Sequence, residues 1–411
     1  MKHLLLFSAL LLLPFSVIAS SLPAPGNWSG AVGTATVAPL PGELPGEAWE
    51  SVRGSLVLKI SPPSSKAPNG SYSAVFSVFE GGALQVFRGK GSLGEQGRLA
   101  ASWSGPGKSP RRCEIDLVFS SSPDGLLQGT ANVIAPAETF TDTNGNSQRD
   151  TNEVFVDANK NGSWDAGGLS SFAVFALRSP YGKSAPLPAD VAGSLSALCL
   201  AEGADLPLGI FSGGIDTAGR LKLGGTWQDG RKASLSTAVL RFDNSNFVVP
   251  AAALGKGIFL GARAVYAPGS GGSDWSGKAW EFKTTGAPRP LRFEGFRAGN
   301  NAALNWPTGA ADLYLEHGLD VEYANGVARI VQRSNKLALE GIASNPGIRD
   351  ISLSFFPSEA LVKGSLTYIV SNSNPETRAT VAVSGVLNPS TGEVRGRVGS
   401  IGWFSLVPLR D

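Results

Sequence analysis

The feature that most restricts the fold of this chain is a repeated alternation of apolar and polar residues in short segments. Segments 71–79, 219–227, 232–240, 350–356 and 365–370 alternate residue by residue, and breakers such as PNG, SPDG, APGSGG and NPSTG separate the alternating stretches. A period of two is typical of a half-buried β-strand, and no window beyond the N-terminal region keeps a helical period over three turns. The sequence therefore predicts an all-β protein with roughly two dozen strands, too many for one small sandwich.

The length and the glycine content extend this prediction to the domain organisation. The chain has 411 residues, of which 52 are glycine and only 17% are charged, so many strands joined by tight turns are expected. This length predicts two domains, and proline and small residues cluster at 179–190. We expect two antiparallel β-sandwich or barrel-like domains, at 20–182 and 183–411, with an insert at 138–168.

Two internal echoes suggest that the domains arose by duplication. LPAPGNWSG (22–30) resembles LPADVAGSL (187–195), and GKGSLGEQGRLAASW (89–103) resembles SGGIDTAGRLKLGGTW (212–227). The offsets of the two echoes differ, so a duplication requires some forty residues gained or lost between them. Trp103 and Trp227 end alternating strands in the second echo, and core packing is the expected role of both.

The N-terminal segment has the three-part pattern of a secretory signal. A basic start is followed by an apolar run from Leu4 to Ile18, and cleavage is expected after Ala19. The predicted signal peptide is thus 1–19, and the mature chain carries no apolar run long enough to span a membrane. The protein is expected to be exported, to the periplasm, the cell surface or the extracellular space.

The charge balance and the cysteine count restrict the partners and the crosslinks. The formal net charge is +2 without a basic run, which argues against nucleic acid as a partner, because phosphate binding needs clustered Lys and Arg. The two cysteines, Cys113 and Cys199, have two open alternatives: a disulfide in an oxidising compartment, or two separate buried thiols.

The stretch with the most distinctive chemistry is FTDTNGNSQRDTNEVFVDANKNGSWDAGG (140–168), which contains two near-copies offset by 15 residues. Oxygen-bearing side chains alternate in each copy, and Ca²⁺ takes six to eight oxygens from loop positions 1, 3, 5, 7, 9 and 12. The first copy offers the donors Asp142, Asn144, Asn146, the Gln148 carbonyl, Asp150 and Glu153. The second copy offers Asp157, Asn159, Asn161, the Ser163 carbonyl and Asp165.

These loops resemble the EF-hand and dockerin type, and more closely the tandem D-x-N-x-N loops of bacterial surface proteins. The resemblance implies calcium as the bound ion. Two positions depart from the pattern: Ser147 replaces the usual glycine of the first copy, and Gly168 replaces the bidentate acid of the second. We expect a tighter first site and a weaker second one. The alternative is a pair of Asn/Asp-rich turns held by side-chain-to-backbone hydrogen bonds alone.

The C-terminal part resembles β-rich repeat units of uncharacterised exported proteins from Gram-negative bacteria. The resemblance rests on WEF at 280–282, LRFEGF at 291–296 and VSGVLNPSTGEVRG at 383–396. It implies an exported or surface β-protein and brings no catalytic residues.

No catalytic constellation is evident in the sequence. His317 is the one histidine beyond the signal, and no nucleophile elbow stands near it. Its neighbours Glu316 and Asp320 are the least ordinary acids for a glycoside hydrolase, which needs two carboxylates. We therefore expect a non-catalytic surface, matrix or adhesion-type protein with a structural calcium insert. The alternative is a carbohydrate-binding module, with Trp164 and Trp275 as the candidate exposed platforms and glycans or cell-surface components as partners.

Overall fold

A computed structural model describes residues 22–408 of the chain. The described range has gaps at 36–43, 47–48, 107–110, 121–124, 157–163, 165, 205, 256, 269–272, 298–310, 317–327, 334–335, 343–347, 372–376 and 400–401. The predicted signal peptide, 1–19, lies outside the described residues. Side chains between 311 and 349 also lie outside the description, although strands run through this range.

The first sheet has eight antiparallel strands in the order β4-β3-β2-β1-β8-β7-β6-β5. Its strands are β1 Gly26–Ala35, β2 Trp49–Ser61, β3 Ser71–Glu80, β4 Ala83–Ser92, β5 Leu99–Ser104, β6 Arg112–Ser120, β7 Leu126–Ala135 and β8 Gly168–Arg178, with a 3₁₀ turn at Glu95–Gly97. The first strand pairs with the last, and the two edge strands approach each other. A Cβ atom on Gly89 of β4 would lie 2.0 Å from the Trp103 indole nitrogen on β5, so the sheet is barrel-like.

The second sheet has nine antiparallel strands, and again the first strand pairs with the last. Its strands are β9 Gly193–Ala201, β10 Pro207–Ile215, β11 Arg220–Trp227, β12 Lys232–Phe242, β13 Ser245–Val248, β14 Ala251–Gly255, β15 Ile258–Tyr266, β16 Trp275–Lys283 and β17 Arg289–Arg297. Pairing of β9 with β17 and of β13 with β15 closes the sheet into a barrel-like form.

The third sheet has eight antiparallel strands in the order β18-β25-β24-β23-β22-β21-β20-β19. Its strands are β18 Ala311–Glu316, β19 Ala328–Arg333, β20 Lys336–Ile342, β21 Ile348–Phe356, β22 Leu361–Ser371, β23 Thr377–Leu387, β24 Val394–Val398 and β25 Gly402–Pro408, with a 3₁₀ turn at Pro357–Glu359. The first strand, β18, pairs with the last, β25, as in the other sheets.

The all-β fold class predicted from alternation is confirmed. The described residues form no α-helix, and alternate positions of many strands are buried, as in β3 with the pattern iBeBiBiBBi. One sheet lies within 20–182, whereas the range 183–411 contains two. Among the described residues there is no helix with the length and hydrophobicity that a bilayer crossing requires.

Aromatic side chains join the first two sheets. Phe79 of β3 stacks on Phe259 of β15 with ring centroids 5.5 Å apart, and the guanidinium of Arg53 lies 4.8 Å from the Phe282 ring. The backbones also approach closely, since a Cβ atom on Gly261 would lie 2.0 Å from the Val52 carbonyl oxygen. The first two sheets therefore pack against each other through a continuous apolar layer.

A buried arginine and a buried serine hydroxyl join the second sheet to the third. Arg397 of β24 donates hydrogen bonds to the carbonyl oxygens of Pro207 at 2.9 Å and of Gln228 at 3.0 Å. The hydroxyl of Ser196 donates to the Glu359 carbonyl oxygen. Burial lowers the pKa of Arg397, and its two carbonyl partners compensate part of the cost of desolvating the cation.

Candidate functional site

The predicted calcium insert projects between β7 and β8 as a small hairpin. Phe140 and Phe155 face each other in an isolated antiparallel bridge. The Thr141 N–H donates to the Val154 carbonyl at 2.8 Å, and the Val156 N–H donates to the Thr139 carbonyl at 2.8 Å. These bonds close the base of the loop formed by residues 142–153, which we call the first loop.

Asp142 organises the front half of the first loop. Its Oδ1 accepts the Gly145 N–H at 2.7 Å, and its Oδ2 accepts the Ser147 N–H at 2.8 Å. The Ser147 N–H is the main reason that the Asp142 pKa lies below its ordinary value. The chain turns tightly here, because Gly145 has φ +74° and Ser147 has φ +58°. Ser147 thus holds, without glycine, the left-handed conformation that the sixth loop position requires.

Glu153 closes the back half of the same loop. Its Oε2 accepts the Asp150 N–H at 3.0 Å, while its Oε1 accepts the Thr143 N–H at 2.7 Å and the Thr143 hydroxyl at 3.0 Å. The Asp150 and Thr143 N–H groups lower the Glu153 pKa, and the residue is buried. The sequence did not single out Thr143, whose hydroxyl orients this carboxylate.

Three of the predicted side-chain donors of the first copy meet one another. Oδ2 of Asp150 accepts hydrogen bonds from the side-chain amide nitrogens of Asn144 at 2.6 Å and of Asn146 at 3.1 Å. The amide oxygens of the two asparagines accept the N–H groups two residues ahead, those of Asn146 and Gln148. Gln148, whose carbonyl was the predicted ligand, contacts the loop through its backbone N–H, which donates to the Asn146 amide oxygen. The five side chains therefore make their hydrogen bonds within one loop, and these bonds resemble those of paired Asx turns.

The first loop carries carboxylate and amide oxygens, which are donor types that calcium takes. Ca²⁺ binds carboxylate and amide oxygens in a flexible shell, and each carboxylate oxygen has lone pairs beyond those used by one N–H donor. Among the residues that the structure describes, no three His, Cys, Asp or Glu side chains form a metal-binding group. These four residue types do not include asparagine, which supplies two of the five predicted side-chain donors in the first loop. Binding would require the Asn144 and Asn146 amides to turn their oxygens toward the ion.

The second predicted loop falls largely outside the described residues. This is where Asp157, Asn159, Asn161, Ser163 and Asp165 lie. Trp164 is described: its indole N–H donates to the Glu138 carbonyl at 3.2 Å, and its ring meets Phe140 edge-to-face. The Arg149 guanidinium lies over the Phe155 and Trp164 rings, at 4.6 and 5.7 Å from their centroids. Trp164 is half-buried and therefore anchors the insert.

The remaining predicted residues are not brought together. Trp275 was predicted to be exposed, and this is wrong: it is 0% exposed, because it packs against Tyr266 and opposite Gly295. Trp103 and Trp227 are buried, as expected. Glu316 lies in β18 without a described side chain, and His317 and Asp320 lie outside the described residues.

The two cysteines are separate buried thiols, so the disulfide alternative is wrong. Cys113 lies in the core of the first sheet and Cys199 in the core of the second. Burial raises the pKa of the Cys113 thiol to about 12 and also raises that of Cys199. The strands that carry them, β6 and β9, belong to different sheets, which keeps the thiols apart.

Comparison with known proteins identifies no family. No family model and no curated protein matches this chain. Two chains of solved structures match. One is a double mutant of the vaccine antigen transferrin binding protein B from Haemophilus parasuis, with 13% identity, a TM-score of 0.21, and coverage of 95% of this chain and 78% of that one. A score this low supports no conclusion about architecture or function.

Proposed function

We propose that this chain is an exported, non-catalytic surface or matrix protein whose first loop binds Ca²⁺ and thereby orders the insert. The proposal rests on the calcium-loop spacing of the oxygen-bearing side chains at 142, 144, 146, 150 and 153, supported by the hydrogen bonds that join Asn144 and Asn146 to Asp150. Export is inferred from the N-terminal pattern at 1–19.

The role of the ion is structural. Three carboxylates, those of Asp142, Asp150 and Glu153, lie in one short loop, and a divalent cation would offset their mutual repulsion. With a dissociation constant of about 0.1 mM and external calcium of about 1 mM, binding adds about 1.4 kcal/mol. This is enough to order an insert but small beside the stability of the sheets. The same hairpin exposes Val154 and Val156, so ordering it would fix two apolar side chains at the surface.

Calcium titration by calorimetry on the secreted full-length product tests the proposal. We expect saturable binding that an Asp142→Ala/Glu153→Ala double variant loses. Asp216→Ala is the matched control, because Asp216 also accepts backbone N–H groups in a turn, those of Ala218 and Arg220, but it pairs with the Arg220 guanidinium and lies outside the insert. Absence of binding heat, or equal heat in the double variant, contradicts the calcium assignment and leaves paired Asx turns.

The exported and non-catalytic parts are tested separately. N-terminal sequencing of the secreted product should begin at Ser20, and an uncleaved or cytoplasmic product contradicts export. Hydrolysis of chromogenic glycosides or esters that is lost when one acidic residue is changed would contradict the non-catalytic role. The proposed calcium site could survive either failure.

A further inference from the structure

The outward side of strands β2, β3 and β4 forms an exposed surface that we call the basic face. The side chains that alternate with it, among them Leu58, Phe76 and Phe87, are buried in the core of the first sheet. The residues of the basic face are Ser55, Val57, Lys59, Ser61, Ser71, Ser73, Val75, Ser77, Val86, Arg88, Lys90 and Ser92, none of them buried. The basic face therefore carries three cations, six hydroxyl groups and no carboxylate.

Strand pairing brings the three cations of the basic face together. Lys59 and Lys90 share a row across the sheet, because both pair with Ser73 of the central strand. Two strand spacings of about 4.8 Å separate them, and Arg88 lies two residues from Lys90, about 6.8 Å along β4. The three backbone positions thus fall within about 12 Å of one another.

These three cations have no acidic partner among the residues that the structure describes. On the other half of the same sheet the exposed arginines are paired. There Arg98 lies 2.5 Å from a carboxylate oxygen of Asp116, and Arg112 lies 2.9 Å from one of Glu114. Neighbouring like charges repel one another, and an anion bound across the basic face would offset that repulsion.

The spread of the cations suits an extended ligand better than a small ion. A single small anion needs donors that converge within hydrogen-bond distance of it. A linear polymer with repeated charges can instead meet the three cations in succession, releasing its counterions. The serine hydroxyls around the cations can donate to anionic groups and to sugar hydroxyls.

The side chains between the cations disfavour two other polyanions. Proteins that lie on a membrane present large apolar or aromatic side chains beside their cations, whereas the apolar residues here are Val57, Val75 and Val86. Single-stranded nucleic acid is bound by aromatic side chains that stack on its bases. The twelve residues of the basic face include no aromatic one. The charged groups of a polysaccharide need neither an apolar anchor nor a stacking surface.

We propose that the basic face binds an acidic polysaccharide, that is, a linear sugar polymer with repeated carboxylate or sulfate groups. The planar guanidinium of Arg88 matches such an oxyanion with two parallel hydrogen bonds, while Lys59 and Lys90 act as point charges beside it. The sequence shows no basic run, because the cluster forms only when three strands pair. The proposal rests on the proposed export, which brings the chain to such a polymer, and is independent of the calcium loop.

Biolayer interferometry of the full secreted chain on immobilised heparin and polygalacturonate tests this proposal, with EDTA present so that calcium plays no part. Uncharged dextran, phosphatidylglycerol vesicles and a thymidine oligonucleotide are the comparisons. We expect binding to at least one of the two acidic polysaccharides and none to dextran. With three cations engaged, log K should fall with log[salt] with a slope of about −2, a loss of about 15- to 20-fold between about 50 and 200 mM salt.

Lys59→Gln/Lys90→Gln should weaken this binding by about tenfold or more, because two of the three charge contacts are lost. The matched control is Arg98→Gln/Arg112→Gln, which removes the same charge from the same sheet, but from arginines already paired with acids. This control should bind as the parent does, and Lys59→Arg/Lys90→Arg should retain binding. Arg88→Gln is the second variant should the lysine double variant alter the thermal melt.

Absence of binding to both acidic polysaccharides overturns the proposal, as does an equal loss in the arginine control. Tighter binding to the vesicles or to the oligonucleotide also overturns it, in favour of a membrane or a nucleic acid. Failure of export is distinguishable, because N-terminal sequencing detects it without any polysaccharide.

Discussion

Replacing Ser147 by glycine should tighten calcium binding. Ser147 has φ +58°, and for a residue with a Cβ atom the left-handed region costs about 1–2 kcal/mol. Glycine removes this cost but adds about 0.5–1 kcal/mol of unfolded-state entropy. The net gain for the bound loop conformation is about 0.5–1 kcal/mol. If the loop becomes fully ordered only with the ion, the dissociation constant should fall by about two- to fivefold.

Calorimetric titration of Ser147→Gly beside the parent measures this change. Ser184→Gly is the matched control, because Ser184 is an exposed turn serine outside the insert and is not among the non-glycine residues with positive φ. The control should leave the calcium affinity unchanged. Weaker calcium binding by Ser147→Gly would show that the serine side chain stabilises the bound loop by more than the left-handed backbone conformation of Ser147 costs. That result would refute the reasoning from φ.

The folded loop lowers the pKa values of Asp142 and Glu153. The two carboxylates therefore stabilise the loop fully at a pH above their ordinary pKa values of about 3.9 and 4.3. This stabilisation is lost as the pH falls through the lowered pKa values of the folded loop. Loop amide shifts followed by NMR should therefore change only below about pH 4. Cys113 and Cys199 should resist a thiol reagent in the native protein and react after denaturation, with no difference between reduced and non-reduced gels. Gly261→Ala should lower the melting temperature, because its Cβ atom meets a backbone carbonyl 2.0 Å away in the first sheet.

The sequence predicted the chemistry of the first loop better than its backbone. Alternating Asp and Asn residues predicted a common ligand set; in the structure Asn144 and Asn146 donate to Asp150, whereas Asp142 accepts the backbone N–H of Gly145. The pattern also marked Ser147 as a departure, but it could not show that serine adopts the glycine-like conformation there. Two N–H bonds to Asp142 compensate part of that strain, and such bonds depend on the folded loop rather than on any one residue.

Trp275 shows why exposure could not be predicted from flanking residues. The stretch GGSDWSG has the composition of a turn, and turns are usually exposed. Trp275 is nevertheless the first residue of β16, directly opposite Gly295 of β17. A Cβ atom on Gly295 would lie 3.0 Å from the Trp275 Cβ, so the missing side chain of the partner strand makes room for the indole. This pairing is a non-local contact that no short sequence window contains.

The two echoes have different structural meanings. The echo of 22–30 with 187–195 falls at the start of β1 and of β9. Each of these is the first strand of its sheet in chain order, and each pairs with the last strand of the same sheet. The echo of 89–103 with 212–227 falls on β4 and β5 in one sheet but on β10 and β11 in the other. Only the first echo joins equivalent strands, which explains why the offsets disagree.

Close backbone approaches within the sheets account for part of the high glycine content. Closing a sheet bends and coils its strands, and glycine is the residue that tolerates a close backbone approach at such points. A Cβ atom would lie 1.7 Å from a neighbouring carbonyl oxygen at Gly30, 1.9 Å at Gly277 and 1.8 Å at Gly364, one position in each sheet. No side-chain rearrangement relieves a clash with backbone. Glycine within the alternating strands therefore marks positions where paired backbones approach closely, in addition to the tight turns that composition indicated.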